Sequence, residues 1–306
     1  MTLLLVLAAP AANAESLRIL TQNMNRLFDN IDNGNNEKIL SHSRFQQRVK
    51  SAARKFGDEF GLPHIITLQE IENRYVLQQI AAEIRDRYQV DYVSALIPGQ
   101  DVSGINLGFL VRHNVQIKKV EQLFADARFK LTGNPLFSRP PLYLEACSFE
   151  NCISLLNLHL RSMRGIDSAR DGKRVAGKRR RQAETIAAWS NRFQQSRAGA
   201  SLLLLGDFNA RTPSDEHVDI AGIIRGDPDN KSTRLPGRDL LEPDLVDLTV
   251  LIPQAKRYSF IFRHNKQQLD YMYVNQSFSA DVENITFSRI DYHFSDHAGL
   301  LASFAW

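Results

Sequence analysis

Leu202-Leu203-Leu204-Leu205-Gly206-Asp207-Phe208-Asn209 is a run of four leucines closed by a glycine, a carboxylate and an amide. A strand with one face in water would alternate apolar and polar residues, so an unbroken apolar run reads as a strand covered on both faces. Asp207 and Asn209 stand two residues apart and project the same way if the strand continues through them; a turn there is the alternative. Polar groups ending a buried strand lie at the rim of a sheet, where loops gather around ligands.

The same pattern recurs along the chain. Strand-like runs cover Leu17 to Asn23, His64 to Gln69, Gln89 to Leu96, Ile105 to Arg112, Leu142 to Ala146, Ile153 to Leu160, Leu269 to Val274, Val282 to Ile290 and Gly299 to Phe304. Three helical patterns are interleaved. Phe45, Val49, Ala52, Phe56 and Phe60 recur at three or four residues behind a Ser43/Gln46 capping box; Val76, Ile80, Ile84 and Tyr88 mark the second; Ala183, Ile186, Ala187, Ser190 and Phe193 the third. Strands and helices mixed over the whole length, with no internal repeat or low-complexity linker, predict one layered α/β domain. Two stretches read as irregular, Thr132 to Pro141 and Arg211 to Pro243, and loops that long more often line ligands than not.

The 306 residues are 43% apolar and 24% charged, which excludes a disordered, collagen-like or polytopic membrane chain. A formal charge of +4 is compatible with polyanionic partners and identifies none. Leu3 to Ala12 is apolar and leads to Ala12-Asn13-Ala14, the small-x-small form that signal peptidase accepts, so residues 1–14 read as a secretory signal and 15–306 as the mature domain, secreted or periplasmic. The stretch lacks a preceding Lys or Arg, and it is too short to span a bilayer, which needs roughly 20 residues. Cys147 and Cys152 are the only cysteines and sit between two strand-like flanks. They read as a disulfide across a tight turn, or else as two free buried thiols.

Polar residues close one apolar run after another. Gln22-Asn23 ends the first and Gln69-Glu70 the second; His159 falls late in its run, Asp270 opens Asp-Tyr-Met-Tyr-Val, and Ser295-Asp296-His297 precedes the last strand. Together with Asp207 and Asn209 these supply three Asp, one Glu, two Asn and two His. Hard oxygen donors of this kind suit Mg²⁺, which binds through one or two carboxylates and keeps several waters. The remaining groups could activate water and stabilise charge developing on phosphorus. No P-loop, Gly-x-Ser-x-Gly elbow or zincin motif is present.

Thr21-Gln22-Asn23-Met24, Leu68-Gln69-Glu70, Asn157-Leu158-His159-Leu160, Gly206-Asp207-Phe208-Asn209, Leu269-Asp270-Tyr271 and Ser295-Asp296-His297, taken in this order, resemble the endonuclease/exonuclease/phosphatase superfamily, whose members include DNase I-like nucleases. Gln69-Glu70-Ile71-Glu72-Asn73 is similar to the form found in secreted bacterial nucleases. The resemblance implies a four-layer α/β/β/α sandwich of two packed mixed sheets flanked by helices, and a Mg²⁺-dependent phosphodiesterase, with Mn²⁺ as a substitute and Ca²⁺ as a further candidate. It implies Glu70 as principal metal ligand, with Asn23 and Asp296 beside it. Asp207 would orient or deprotonate the attacking water, jointly with His297, while Asn209 holds a phosphate oxygen. Asp270 would fix the His297 imidazole, and His159 would donate to a phosphate oxygen or to the leaving group. Glu72 stands where the pancreatic enzymes carry an arginine, so that groove contact is not expected.

Nine Lys or Arg and only two acids lie between Arg161 and Arg181. One reading is a solvated helix start; the other is a surface tracking a phosphate backbone, with Arg161, Arg179, Arg180 and Arg181 as contacts and Arg139 as a further one. The leading expectation is a monomeric enzyme, without stable membrane insertion, that cleaves DNA, with RNA as a further candidate substrate. Alternatives are a phospholipid or inositol-phosphate phosphoesterase of the same fold, and a non-catalytic nucleic-acid-binding or toxin subunit.

Overall fold

In a computed structural model, which describes residues 16–34, 38–148, 151–212 and 215–306, the chain runs β1 (Ser16–Leu27), α1 (His42–Arg54), β2 (Ile65–Ile71), α2 (Arg74–Tyr88), β3 (Tyr92–Leu96), β4 (Asn106–Arg112), β5 (Gln116–Gln122), β6 (Leu142–Ser148) and β7 (Asn151–His159). It continues with α3 (Gly172–Ser196), β8 (Ser201–Thr212), α4 (Ile220–Arg225), β9 (Val246–Asp247), β10 (Phe260–Phe262), β11 (Asn265–Val274), α5 (Gln276–Ser279), β12 (Val282–Phe287) and β13 (Leu300–Ala305). The expected signal at 1–14 lies outside the described residues.

Two mixed sheets form, one in the order β12-β13-β1-β2-β4-β3 and the other β10-β11-β8-β7-β6-β5, with β9 on β11. Each has one parallel pair, β1 with β2 and β7 with β8. The leucine run shows why they stack. Leu203 and Leu205 point between the sheets, against Ile19, Phe109 and Met272, while Leu202 and Leu204 point outward onto Ala183, Ile186 and Ile223 of α3 and α4. The first sheet does the same, packing Leu20, Ile66 and Leu68 under Phe45, Val49 and Ile80 of α1 and α2. Helix, sheet, sheet, helix is thus the layer order. Each fully buried leucine contributes about 1.5–3 kcal/mol, which holds both faces of each sheet closed.

Several boundaries differ from expectation. α1 is capped by Ser41, whose side chain accepts from the Arg44 amide, rather than by Ser43, because Ser41 has the extended backbone (φ −66°, ψ 152°) a cap needs. Gln89 is not in β3; it closes α2 in the left-handed region. β5 and β10 were not anticipated. β5 is an edge strand of mostly half-exposed residues, and β10 is only three residues long. Cys147 and Cys152 are directly opposite in the β6–β7 pair and joined by a disulfide. Among the described residues no helix is long and apolar enough to cross a membrane.

Candidate active site

The polar ends of the central strands converge at one end of the two sheets. Asn23 and Glu70 come from β1 and β2 of the first sheet; His159, Asp207, Asn209 and Asp270 come from β7, β8 and β11 of the second. The segment between β12 and β13 adds Asp296 and His297. Glu70, His159, Asp207, Asn209, Asp296 and His297 all line one cavity of about 1270 Å³.

Local backbone geometry aims these groups. Pairing between β2 and β4 shifts register at Glu70, a bulge, and Glu70 itself has φ 60°. Asn209 has φ 50°. Left-handed backbone at residues other than glycine is strained, and here two instances carry site side chains. Gly206 must be glycine: at φ 126°, a Cβ would lie 2.2 Å from the Leu158 carbonyl oxygen. That close approach seats β8 on β7 in parallel register, with His159 beside Asp207.

His297 Nδ1 lies 2.7 Å from Asp270 Oδ2, and both side chains are buried. Asp207 Oδ2 is 3.9 Å from His297 Nε2 and 3.5 Å from His159 Nε2, and it accepts from Asn23 Nδ2 at 3.1 Å. His159 Nε2 is also 3.7 Å from Glu70 Oε1. Burial works against charge on His297, but Asp270 outweighs it by charge and hydrogen bond, helped by Asp207 and Asp296, so its pKa is pushed up to about 10. Asp207 is raised to about 7, chiefly by burial, with Asp270 and Glu70 repelling its charge while His297 and the Asn209 amide partly offset this. His159 is held well below its usual range by burial and by the nearby Arg139 and His297 cations, so its ring is neutral.

A layer of amides and hydroxyls unforeseen from the sequence fixes this constellation. Gln69 donates to Asn157 Oδ1 (2.7 Å) and Thr21 Oγ1 (3.0 Å), and Asn157 donates across the sheet interface to the carbonyls of Leu68 and Gly108. Ser259 Oγ accepts from the Asp270 amide, and Ser295 Oγ donates to the Asn23 carbonyl while accepting from the His297 amide. Asn157 and Ser295 lie inside the quoted motifs. Glu72, where an arginine contact was not expected, accepts from the Asp29 amide, and Asn73 caps α2.

The basic segment requires correction. Arg179 is not a surface contact. It falls on the inner face of α3 with Val175, Ala183 and Ile186, 1% exposed, and its guanidinium is spent on Asp215 (2.7 Å) and the carbonyls of Arg161 and Asn209. Arg180 and Arg181 do not line the cavity; they lie beside Glu184, and Arg180 donates to the Pro236 carbonyl. Arg139 and Arg161 do line it, together with Arg164 and Lys178, although Arg139 also pairs with Asp101 at 2.6 Å and braces the carbonyls of His159 and Leu160.

Among the described residues no three His, Cys, Asp or Glu side chains form a metal cage. The carboxylate and amide oxygens gathered there are hard donors of the kind divalent cations take. Glu70 stands at an open cavity wall, Asp296 lines the same cavity, and the Asp207 carboxylate is burdened by neighbouring negative charge that a cation would relieve.

Two stacked mixed sheets with helices on each side are the fold of solved endonuclease/exonuclease/phosphatase proteins. Similar solved structures include TDP2 from Caenorhabditis elegans (TM-score 0.60, 17% identity, over 95% of this chain and 75% of that one) and an endonuclease/exonuclease/phosphatase from Bacteroides vulgatus (0.60, 14%, 94% and 98%). Danio rerio TDP2 complexed with a single-strand DNA product is another (0.59, 15%, 94% and 98%). At such identities the likeness is one of fold. No family model and no curated protein matches the sequence.

Proposed function

We propose that this chain is a metal-dependent phosphodiesterase that hydrolyses nucleic acid, DNA foremost, by in-line attack of water on phosphorus. The observation that carries it is the buried Asp270–His297 pair set 3.9 Å from Asp207, at a cavity that arginine and lysine also line.

Asp207, raised to about 7, is a base poised at neutral pH to take a proton from the attacking water. Asp270 fixes the His297 ring and keeps it protonated, so that it donates to a phosphate oxygen as charge develops. The neutral His159 ring offers a hydrogen bond without charge, and Asn209 offers an amide. Glu70, with Asn23 and Asp296, would hold a Mg²⁺-class ion, for which Mn²⁺ could substitute, and such an ion polarises a phosphoryl oxygen. DNA-bound Danio rerio TDP2 has the same fold, which supports the substrate class. Export is part of the proposal, supported by the apolar Leu3–Ala12 stretch and by a disulfide, a bond that persists in oxidising compartments.

Incubation of the purified protein with supercoiled plasmid and Mg²⁺ should give nicked product, and EDTA should stop it. No cleavage with Mg²⁺, Mn²⁺ or Ca²⁺ would refute the proposal.

A further inference from the structure

The tip of the β10–β11 hairpin has no part in the chemistry above, although β11 carries Asp270 and the root of the hairpin packs on the site. Phe260 packs on the His297 ring at 5.1 Å between centroids, and Ser259 Oγ accepts from the amides of Leu269 and Asp270. Two residues on, Phe262 lines the same cavity and is 50% exposed, a large ring that the described chain leaves half uncovered. Arg263 and His264 form the turn, with φ 46° and 67°. Two-residue hairpin turns with both φ positive are usually Asn-Gly, because that pair tolerates the left-handed region. Holding Arg-His there stores strain, and strain of this kind clusters at working surfaces. The hairpin sets a cation on each of two rings: the Arg263 guanidinium is 5.2 Å from the Phe262 centroid, and Lys266 lies 4.4 Å from that of Tyr258.

Charge selects the occupant. β10 and β7 are three strand spacings apart in one sheet, about 14 Å at roughly 4.8 Å each. The segment following β7 lines the cavity with Arg161 and Arg164, and α3 adds Lys178, while the nearby acid Asp101 is already paired with Arg139. Burial first, and then repulsion from neighbouring cations, lower the pKa of both Arg161 and Lys178, and the Asp101 carboxylate only partly offsets this. A cluster of cations a few nucleotides from an exposed aromatic ring is the chemistry that holds single strands, with phosphates on the cations and a base on the ring. A duplex keeps its bases stacked and offers that ring nothing.

The geometry points to Phe262, presented by the Arg263-His264 turn, as a stacking platform for an unpaired base of a single-stranded nucleic acid whose phosphates run along Arg161 and Lys178. This rests on the phosphodiesterase proposal for its substrate class.

The test is fluorescence anisotropy of the full chain in EDTA, with a labelled single-stranded oligonucleotide, the matching duplex, and phosphatidylglycerol vesicles as probes. Phe262→Ala should weaken single-strand binding about tenfold with its salt dependence kept, and Phe262→Trp should restore it; the deficit should be absent on the duplex. Equal losses on both nucleic acids, or none, would overturn the inference, as would a deficit confined to the vesicles, which would make the hairpin a membrane contact. Plasmid cleavage is scored separately. A wild type that never cleaves but shows the Phe262-dependent single-strand deficit keeps this inference and loses the catalytic proposal; cleavage with no such deficit does the reverse.

Discussion

Asp270 Oδ2 sits 2.7 Å from His297 Nδ1 with both side chains buried, and of the groups that favour a proton on the imidazole against burial the aspartate is the largest. Asp270→Asn removes that charge and leaves burial in place. The His297 pKa should fall from about 10 toward or below its ordinary 6.5, and turnover should drop by about 10²–10⁴. Imidazole nitrogen NMR of the metal-free protein reads the first, and a variant ring that still titrates near 10 would remove Asp270 from its assigned part.

Asp207 carries its proton to about pH 7 in the fold, against 3.8 ordinarily, so the folded state binds the extra proton between those values and loses stability as pH rises through them. Asp207→Asn should abolish cleavage while raising stability at pH 8 by on the order of 1–3 kcal/mol, and by less at pH 5. Thermal melts at the two pH values test it, and a lower Tm at pH 8 would contradict the buried-charge account.

Arg179 and Arg161 should separate cleanly. Arg179→Met strands the Asp215 carboxylate in the core and should cost about 3–5 kcal/mol with no effect on how DNA binding varies with salt. Arg161→Gln and Lys178→Gln should each lower the slope of log K against log salt by about one, with little change in stability. An Arg179 variant that folds normally and loses salt dependence would return it to the binding surface.

His64 is held down to about 4 by burial first and then by Arg112 and Arg18, and its Nδ1 accepts from the Arg18 amide. The unfolded chain takes up this proton near 6.5 and the folded one only near 4, so stability should fall as pH drops across that window. His64→Asn keeps an acceptor for the amide and should flatten the decline, measured as the urea midpoint from pH 7 to 4.5. An unchanged slope would assign acid sensitivity elsewhere.

The layered fold was legible because strands buried on both faces write themselves as unbroken apolar runs, and the site because its polar groups end those runs. β5 hid because Ile117 and Val120 are its only apolar side chains, which an edge strand permits. Arg179 misled because a count of charges does not record which face of a helix each occupies, whereas its spacing from Val175 and Ala183 places it inward. Gln69 and Asn157 read as ordinary strand amides until two sheets are laid together. Phe262 escaped notice because only the positive φ angles of Arg263 and His264 reveal a turn at its side.

The Gln69–Asn157 link across the sheets has a consequence for how activity is lost. Asn23 and Glu70 ride on one sheet and His159, Asp207 and Asp270 on the other, so the reacting groups meet only while the two slabs stay locked in alignment. The proposed activity would then depend on that seam staying closed, and in rising denaturant it should vanish together with the amide protection of β2 and β7 instead of ahead of it.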